Sequence, residues 1–181
     1  MKQTSQGLPE YNNNELEVLG RLLHLHHKIL RHHDVDGLAQ LILHELGHQE
    51  SLGLTKAGYL MENPDFGCLR GIAGYCGDEC SLHKNDMWEN PYAFADDMKK
   101  APFHQQLSSF VYQNLPRRKN GEIDEEAVQS LGRVLGMKSP SLFTWPMRHG
   151  NYGLLIVEDT AKLPARRKTL LHDCAALLSL C

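Results

Sequence analysis

No stretch of this sequence approaches the roughly 20 consecutive apolar residues needed to cross a bilayer, and the opening MKQTSQGLPEYNNN lacks the apolar centre of a secretory signal. A cytoplasmic protein without a membrane contact is expected. Neither sign of charge dominates: 19 basic and 22 acidic side chains leave a formal charge of −3. That balance offers no basic footprint for direct contact with nucleic acid and no polycationic membrane patch. Cysteine is sparse as well. Five of them, unevenly spaced in a chain of 181 residues that is long enough to need no staples, argue against a disulfide framework and for reduced thiols. There is no low-complexity segment, and nothing in length or composition demands more than one core.

What is present is a change of period along the chain. Asn12 to His33 reads as a helix in which Leu16, Leu19, Leu23, His26, Leu30 and His33 recur at steps of three and four, a short heptad seam. The five histidines of this helix, His24, His26, His27, His32 and His33, read as solvated helix surface. Asp34 or Asp36 is positioned to cap a second helix, whose buried stripe is Val35, Leu38, Leu41, Ile42 and Leu46, with Gly53 as its stop. From Leu54 the period becomes that of strands, and Asn63-Pro64-Asp65-Phe66-Gly67 is turn chemistry between two runs that should pair antiparallel. The middle of the chain is polar and irregular, with helical stretches over Pro91 to Leu115 and Asp124 to Leu135. A second hairpin, SLFTWPM and YGLLIVED, turns at Arg148-His149-Gly150-Asn151, and Leu163 to Cys181 is helical again.

This order of elements resembles the GAF domain family, small sensor modules placed ahead of signalling outputs. DVDGLAQLILHELGHQESLGLTKAGYLMENPDFGCLRGIAGY is similar to the family's first helix and first two strands, and LGMKSPSLFTWPMRHGNYGLLIVED to its closing hairpin. The resemblance implies a mixed α/β (α+β) fold with a central antiparallel sheet flanked by helices, the N- and C-terminal helices lying on one face. It divides the chain into a tail and helix over residues 1–33 and a sensor domain over 34–181 whose last helix continues toward an absent output domain. It implies a non-catalytic regulatory role in a bacterial signalling or transcription protein, with no site residue carried over from a particular member.

A competing motif lies inside the same stretch. His44-Glu45-Leu46-Gly47-His48 has the spacing by which two histidines one helical turn apart bind zinc while the glutamate activates its water. The metzincin continuation would need Gly and His where Ser51 and Leu54 stand, and the remaining donors, Glu62 and Asp65, fall in or beside a hairpin turn. A zinc metallopeptidase is therefore the alternative, and two histidines on a scaffold helix the favoured reading.

Two further groups bear chemistry. Cys68, Cys76, Cys80 and His83 form the densest set of soft donors, enough in kind for a bound metal, an iron–sulfur cluster or a thiol switch, although C-x-x-x-C is not a standard zinc knuckle. Tyr59, Met61, Trp88, Tyr92, Phe103, Trp145 and Met147 are candidates to line a small-molecule cavity between sheet and helices, with plain core packing as the competing reading. The Trp88 to Tyr92 spacing also resembles that of the acyl-homoserine-lactone domain of quorum-sensing regulators, but the accompanying acidic position is not where that family has it. Finally, the seams Leu16 to His33 and Leu170, Cys174, Leu177, Cys181 can each pair across a two-fold axis, so a homodimer through the terminal helices is expected.

Overall fold

A computed structural model describes residues 13–79, 87–116 and 122–181. Helix α1 (Asn13–Arg31) is held down by Val18, Leu22, Leu25 and Ile29, whose steps of four, three and four put them on one stripe. The heptad leucines Leu16, Leu23 and Leu30 lie on a different side of the helix and are 49%, 57% and 65% exposed. One helix thus carries two apolar faces, and only one of them is used by the fold.

Helix α2 (Leu38–Gly47) is buried at every position, the signature of a helix enclosed by other elements. Neither Asp34 nor Asp36 caps it. The entry residue is Gly37 in the left-handed region (φ 101°), and Asp34 instead accepts a hydrogen bond from the Tyr92 hydroxyl at 2.9 Å. Backbone bonds from Val35 to His32 and from Leu38 to Val35 satisfy this tight turn without a side-chain cap. The helix also stops at Gly47 rather than Gly53, which sits in the turn that follows.

Strands β1 (Lys56–Asn63) and β2 (Cys68–Cys76) form the expected hairpin, in which the Asn63 side chain accepts the Asp65 N–H at 3.0 Å. The pairing steps from Tyr59–Ala73 to Leu60–Gly71, so Ile72 is the extra residue of a bulge. Helices α3 (Pro91–Met98) and α4 (Pro102–Ser108) each begin on proline, where a missing N–H costs nothing. The helical reading of the middle segment fails beyond them. Val111–Gln113 is a short edge strand, β3, paired with Cys68 to Arg70, because the Gly71 N–H captures the Phe110 carbonyl and turns the chain onto the sheet.

Helix α5 (Glu125–Val134), the hairpin of β4 (Pro140–Pro146) and β5 (Tyr152–Glu158), and helix α6 (Ala165–Ala175) with a 3-10 turn over Ala176–Leu180 complete the described chain. The sheet is antiparallel throughout, in the order β3-β2-β1-β5-β4. Ala57, Tyr59, Ala73, Tyr75, Leu155 and Val157 face a core built with α1, α2 and α6, so the terminal helices do share one face. Leu60, Leu69, Leu154 and Ile156 face the opposite core, built with α4 and α5. Helix α3 does not join that second face: Phe94, Ala95 and Met98 pack with the α1–α2 side. Because α1 contributes four residues to the first core, it is continuous with the sheet domain in packing. No helix among the described residues is long and apolar enough to cross a membrane.

A buried imidazole ties α4 to β2. His104 is 5% exposed; its Nδ1 accepts the Gly74 N–H at 3.3 Å, and the Gln40 side-chain amide stands 3.3 Å from Nε2. An accepting Nδ1 fixes the neutral ring with its proton on Nε2, which the Gln40 amide meets with its oxygen once the side chain is turned over. Burial, and to a lesser degree Lys99, holds the His104 pKa below the ordinary value of 6.5. The unfolded chain therefore binds a proton that the folded chain refuses, so stability is full above about 6.5 and falls as pH drops from there through the folded pKa. In denaturant titrations between pH 7.5 and 5, His104→Asn should show a shallower fall than the parent chain; equal slopes would remove His104 from the account.

Candidate functional site

The HELGH segment is placed by a close approach of backbone to ring. A Cβ on Gly47 would lie 2.2 Å from the Tyr75 ring, so the end of α2 rests directly on β2. His44 is buried there with its ring edge-on to Tyr75 and Phe94, at centroid distances of 4.9 and 4.7 Å. His48 is the first residue past the helix, with ψ 142°, and its Nδ1 lies at the surface 3.3 Å from the Glu50 N–H and 3.3 Å from the Arg21 guanidinium. The turn between them is closed by the His48 N–H bond to the His44 carbonyl at 2.9 Å, so what separates the two imidazoles is direction, His44 turned into the core and His48 left at the surface. Glu45 points elsewhere again. Its carboxylate, 3% exposed, accepts the Trp88 indole N–H at 2.7 Å and pairs with Lys28 at 3.3 Å and Arg21 at 3.7 Å, the latter also bound to Glu50. Among the described residues, no three His, Cys, Asp or Glu side chains are grouped to hold a metal ion.

The soft-donor set is divided as well. Cys68 opens β2 opposite Asn63, and Cys76 closes it opposite Lys56. Eight steps along a strand separate them by roughly 26 Å, so no single metal centre can take both. Cys80 and His83 lie outside the described residues. Cys174, one of the expected dimer-seam positions, is buried against the sheet domain, and burial followed by Asp173 raises its thiol to about 11. Leu170 and Leu177 also pack inward. Three of the four residues of the expected C-terminal seam thus pack toward the protein's own core, and Cys181 is exposed.

Of the seven aromatic and Met candidates, Tyr59, Met61, Trp145 and Met147 lie on one sheet face, Trp88 sits in the helical layer over that face, and Tyr92 and Phe103 lie elsewhere. Trp88 is occupied with Glu45 beneath α1. Tyr92 is exposed and bonded to Asp34, whose carboxyl is lowered chiefly by that bond. Phe103 lies on the opposite side of the sheet under the Lys56 ammonium, 4.5 Å from its ring. Tyr59 and Met61 alternate with Leu60 and so share the first face, as do Trp145 and Met147 on β4 and just beyond it. Tyr59 and Trp145 stack with centroids 5.9 Å apart and planes 15° from parallel. Gly153, paired with Trp145 on one side and Met61 on the other, leaves room for the indole: a Cβ there would stand 2.3 Å from it. Sequence reasoning passed over Gly153, although a glycine facing a tryptophan across a hairpin is a legible signal.

The polar ends of this stack are poorly served. The Trp145 Nε1–H is buried with no hydrogen-bond partner among the described residues. Among the described residues, the Tyr59 hydroxyl has only the Met147 thioether, at 3.6 Å, a weak acceptor. Burial, followed by Cys181, pushes the Tyr59 phenol up to about 12, so it remains a donor across the physiological range. Each member of the stacked pair thus carries a donor with no strong acceptor among the described residues. The 3-10 turn Ala176–Leu180 packs against β5 beside it.

Two open clefts escaped the sequence reading. One, of about 820 Å³, lies at the end of the sheet between the α2 exit and the starts and ends of β1, β2 and β5. The other, of about 600 Å³, lies between α1 and Trp88 and is walled by the histidine-rich side of the helix. The i, i+3 and i, i+4 spacing of His24, His27, Lys28 and Arg31 places them together, which their sequence already allows.

The fold and site together define an α+β domain with helices on both faces of an antiparallel sheet and a donor-bearing aromatic pair on one of them. No family model matches the chain, and no curated protein matches it. It is similar to the crystal structure of an N-acylhomoserine-lactone-dependent LuxR-family transcription factor of Burkholderia cenocepacia, at a TM-score of 0.39 and 19% identity over 88% of this chain and 91% of that one.

Proposed function

We propose that this chain is a non-catalytic, GAF-like sensory domain of a cytoplasmic signalling or transcription protein, and that it binds a small apolar molecule carrying an oxygen acceptor. The observation that carries this reading is the buried Trp145 N–H, without a partner among the described residues, on an indole stacked against the Tyr59 ring. Buried donors are nearly always satisfied, and each exception calls for a reason. A ligand oxygen in the place of the Met147 sulfur would give the Tyr59 hydroxyl a strong acceptor, a second acceptor on the same molecule would serve the indole, and the flanking Met61 and Met147 side chains would adapt to its apolar part. Signal output follows from position, because the C-terminal 3-10 turn packs on the same sheet face and must adjust to an occupied site.

The test is a thermal-shift screen with lactones, amides and methyl ketones. A compound at a hundred times its Kd adds about 2.7 kcal/mol, which for a chain of this size is a rise in Tm of about 5–10 °C. Trp145→Phe should weaken such a compound about 2- to 10-fold through the lost donor. A responding compound unaffected by Trp145→Phe would place its site elsewhere, and a silent screen would count against the reading.

Assembly belongs to the same proposal. The outer leucines of α1, spaced by seven, fit a second copy of the same helix across a two-fold axis. Leu23→Glu should convert a dimer to a monomer in sedimentation at micromolar protein while leaving the circular dichroism of the folded chain unchanged, since Leu23 lies outside both cores. A parent chain that sediments as a monomer would contradict this part alone.

A further inference from the structure

The cleft between α1 and Trp88 is a second and different site. Its wall is formed by His24, His27, Lys28, Arg31 and His32, and its base by Trp88. Hydrogen-bond capacity there is lopsided. Lys28 spends one of its three N–H groups on Glu45, no carboxylate among the described residues pairs with Arg31, and Glu89 on the rim is the one acidic side chain of the lining. Trp88 itself is held from three directions: its N–H binds Glu45, the Lys28 ammonium stands 5.5 Å over its ring, and His32 lies 5.9 Å away.

We propose that this cleft binds the phosphate group of a small phosphorylated molecule, with Arg31 and Lys28 as its charged donors. A guanidinium fork, an ammonium and imidazole N–H groups within two helical turns match a group that offers several acceptor oxygens and at least one negative charge. The guest competes with Glu45 for Lys28. When Lys28 turns outward, Glu45 keeps Arg21 and the indole, so the polar surroundings of Trp88 change while the helix stays docked through its leucines. Occupancy is thereby read at the α1–α2 contact, away from the Tyr59–Trp145 pair, so the two proposals fail independently.

The test uses the full chain with inorganic phosphate and pyrophosphate at constant ionic strength. Tryptophan emission in a Trp145→Phe background isolates Trp88, and calorimetry on the parent chain reads binding without that substitution. A saturable emission change is expected with pyrophosphate, tighter than with sulfate, and weakened about tenfold or more by Arg31→Ala through the loss of a charged hydrogen bond. His27→Ala should weaken it less, and Arg148→Ala, in the turn between β4 and β5, should leave it unchanged. Arg31 and His27 are both exposed, so neither substitution threatens the fold. A response that sodium chloride reproduces, that does not saturate, or that survives Arg31→Ala would overturn the assignment.

Discussion

Glu45→Ala is expected to cost the domain about 3 kcal/mol, most of it from the Trp88 indole left without an acceptor (roughly 1–3 kcal/mol) and from the space vacated in a packed region. The full penalty of breaking a buried ion pair, about 3–5 kcal/mol, does not apply on top of this. Lys28 and Arg21 remain 32% and 36% exposed and can turn to water when their partner is lost. For a chain of this length the Tm should fall by about 6–12 °C. Glu45→Gln should fall much less, because the amide oxygen still accepts the Trp88 N–H. The pair of variants also separates a structural carboxylate from a catalytic one. An active-site glutamate, kept ionised for hydrolysis, is released from strain when replaced, and its variants hold or gain stability. Thermal unfolding of both variants followed by circular dichroism decides the point, and a Glu45→Ala chain as stable as the parent would contradict the role given to this residue.

Gly71→Ala should be more damaging still. Gly71 is not a conformational glycine; its backbone is extended and paired with Leu60. What it lacks is room. A Cβ would stand 1.8 Å from the Leu107 carbonyl oxygen, so α4 lies with its backbone against β2, and the bond from the Gly71 N–H to Phe110 locks the arrangement at 3.0 Å. Ordinary overpacking costs about 1–3 kcal/mol by displacing side chains. Here the obstacle is main chain, and relief requires α4 to lift from the sheet or the Phe110 bond to break. A loss above about 3 kcal/mol is expected, a large share of the 5–15 kcal/mol of a typical domain. Gly20→Ala supplies the contrast: nothing lies within 4 Å of its Cβ, and in the interior of α1 alanine should stabilise by about 0.5–1 kcal/mol. Denaturant midpoints of the two variants should therefore move in opposite directions.

The legible part of this fold was the part with local causes. Asn63 to Gly67 announces its hairpin through a side-chain bond two residues on and a left-handed glycine, and both are made. The steps of Leu16, Leu23 and Leu30 mark a helix, but periodicity could not say which of two apolar stripes would meet the sheet. That choice fell to Val18, Leu22, Leu25 and Ile29, whose partners are far away in sequence. β3 was illegible for the same reason, since its strand character comes from Gly71 and the edge of β2, not from Val111 to Gln113 themselves. His44 and His48 show the limit of a motif. Their spacing implies one metal only if both rings turn to the same side, and His44 packs inward on Tyr75 and Phe94 while His48 stays at the surface. The grouping of Tyr59 with Trp145 depended on β1 pairing with β5, a contact across nearly a hundred residues that no local pattern announces.

The reading rests on two donors waiting for an acceptor, and the indole region of a nitrogen–proton correlation spectrum observes one of them by itself. The chain has two tryptophans, hence two indole signals. Trp88, bonded to a carboxylate at 2.7 Å, should resonate downfield and stay there. Trp145 should start upfield, as an unbonded N–H, and move downfield when a compound from the thermal-shift screen saturates the chain, while Trp145→Phe removes that signal and identifies it. A Trp145 signal that is already that of a bonded indole, or that stays still while a stabilising compound binds, would contradict the account.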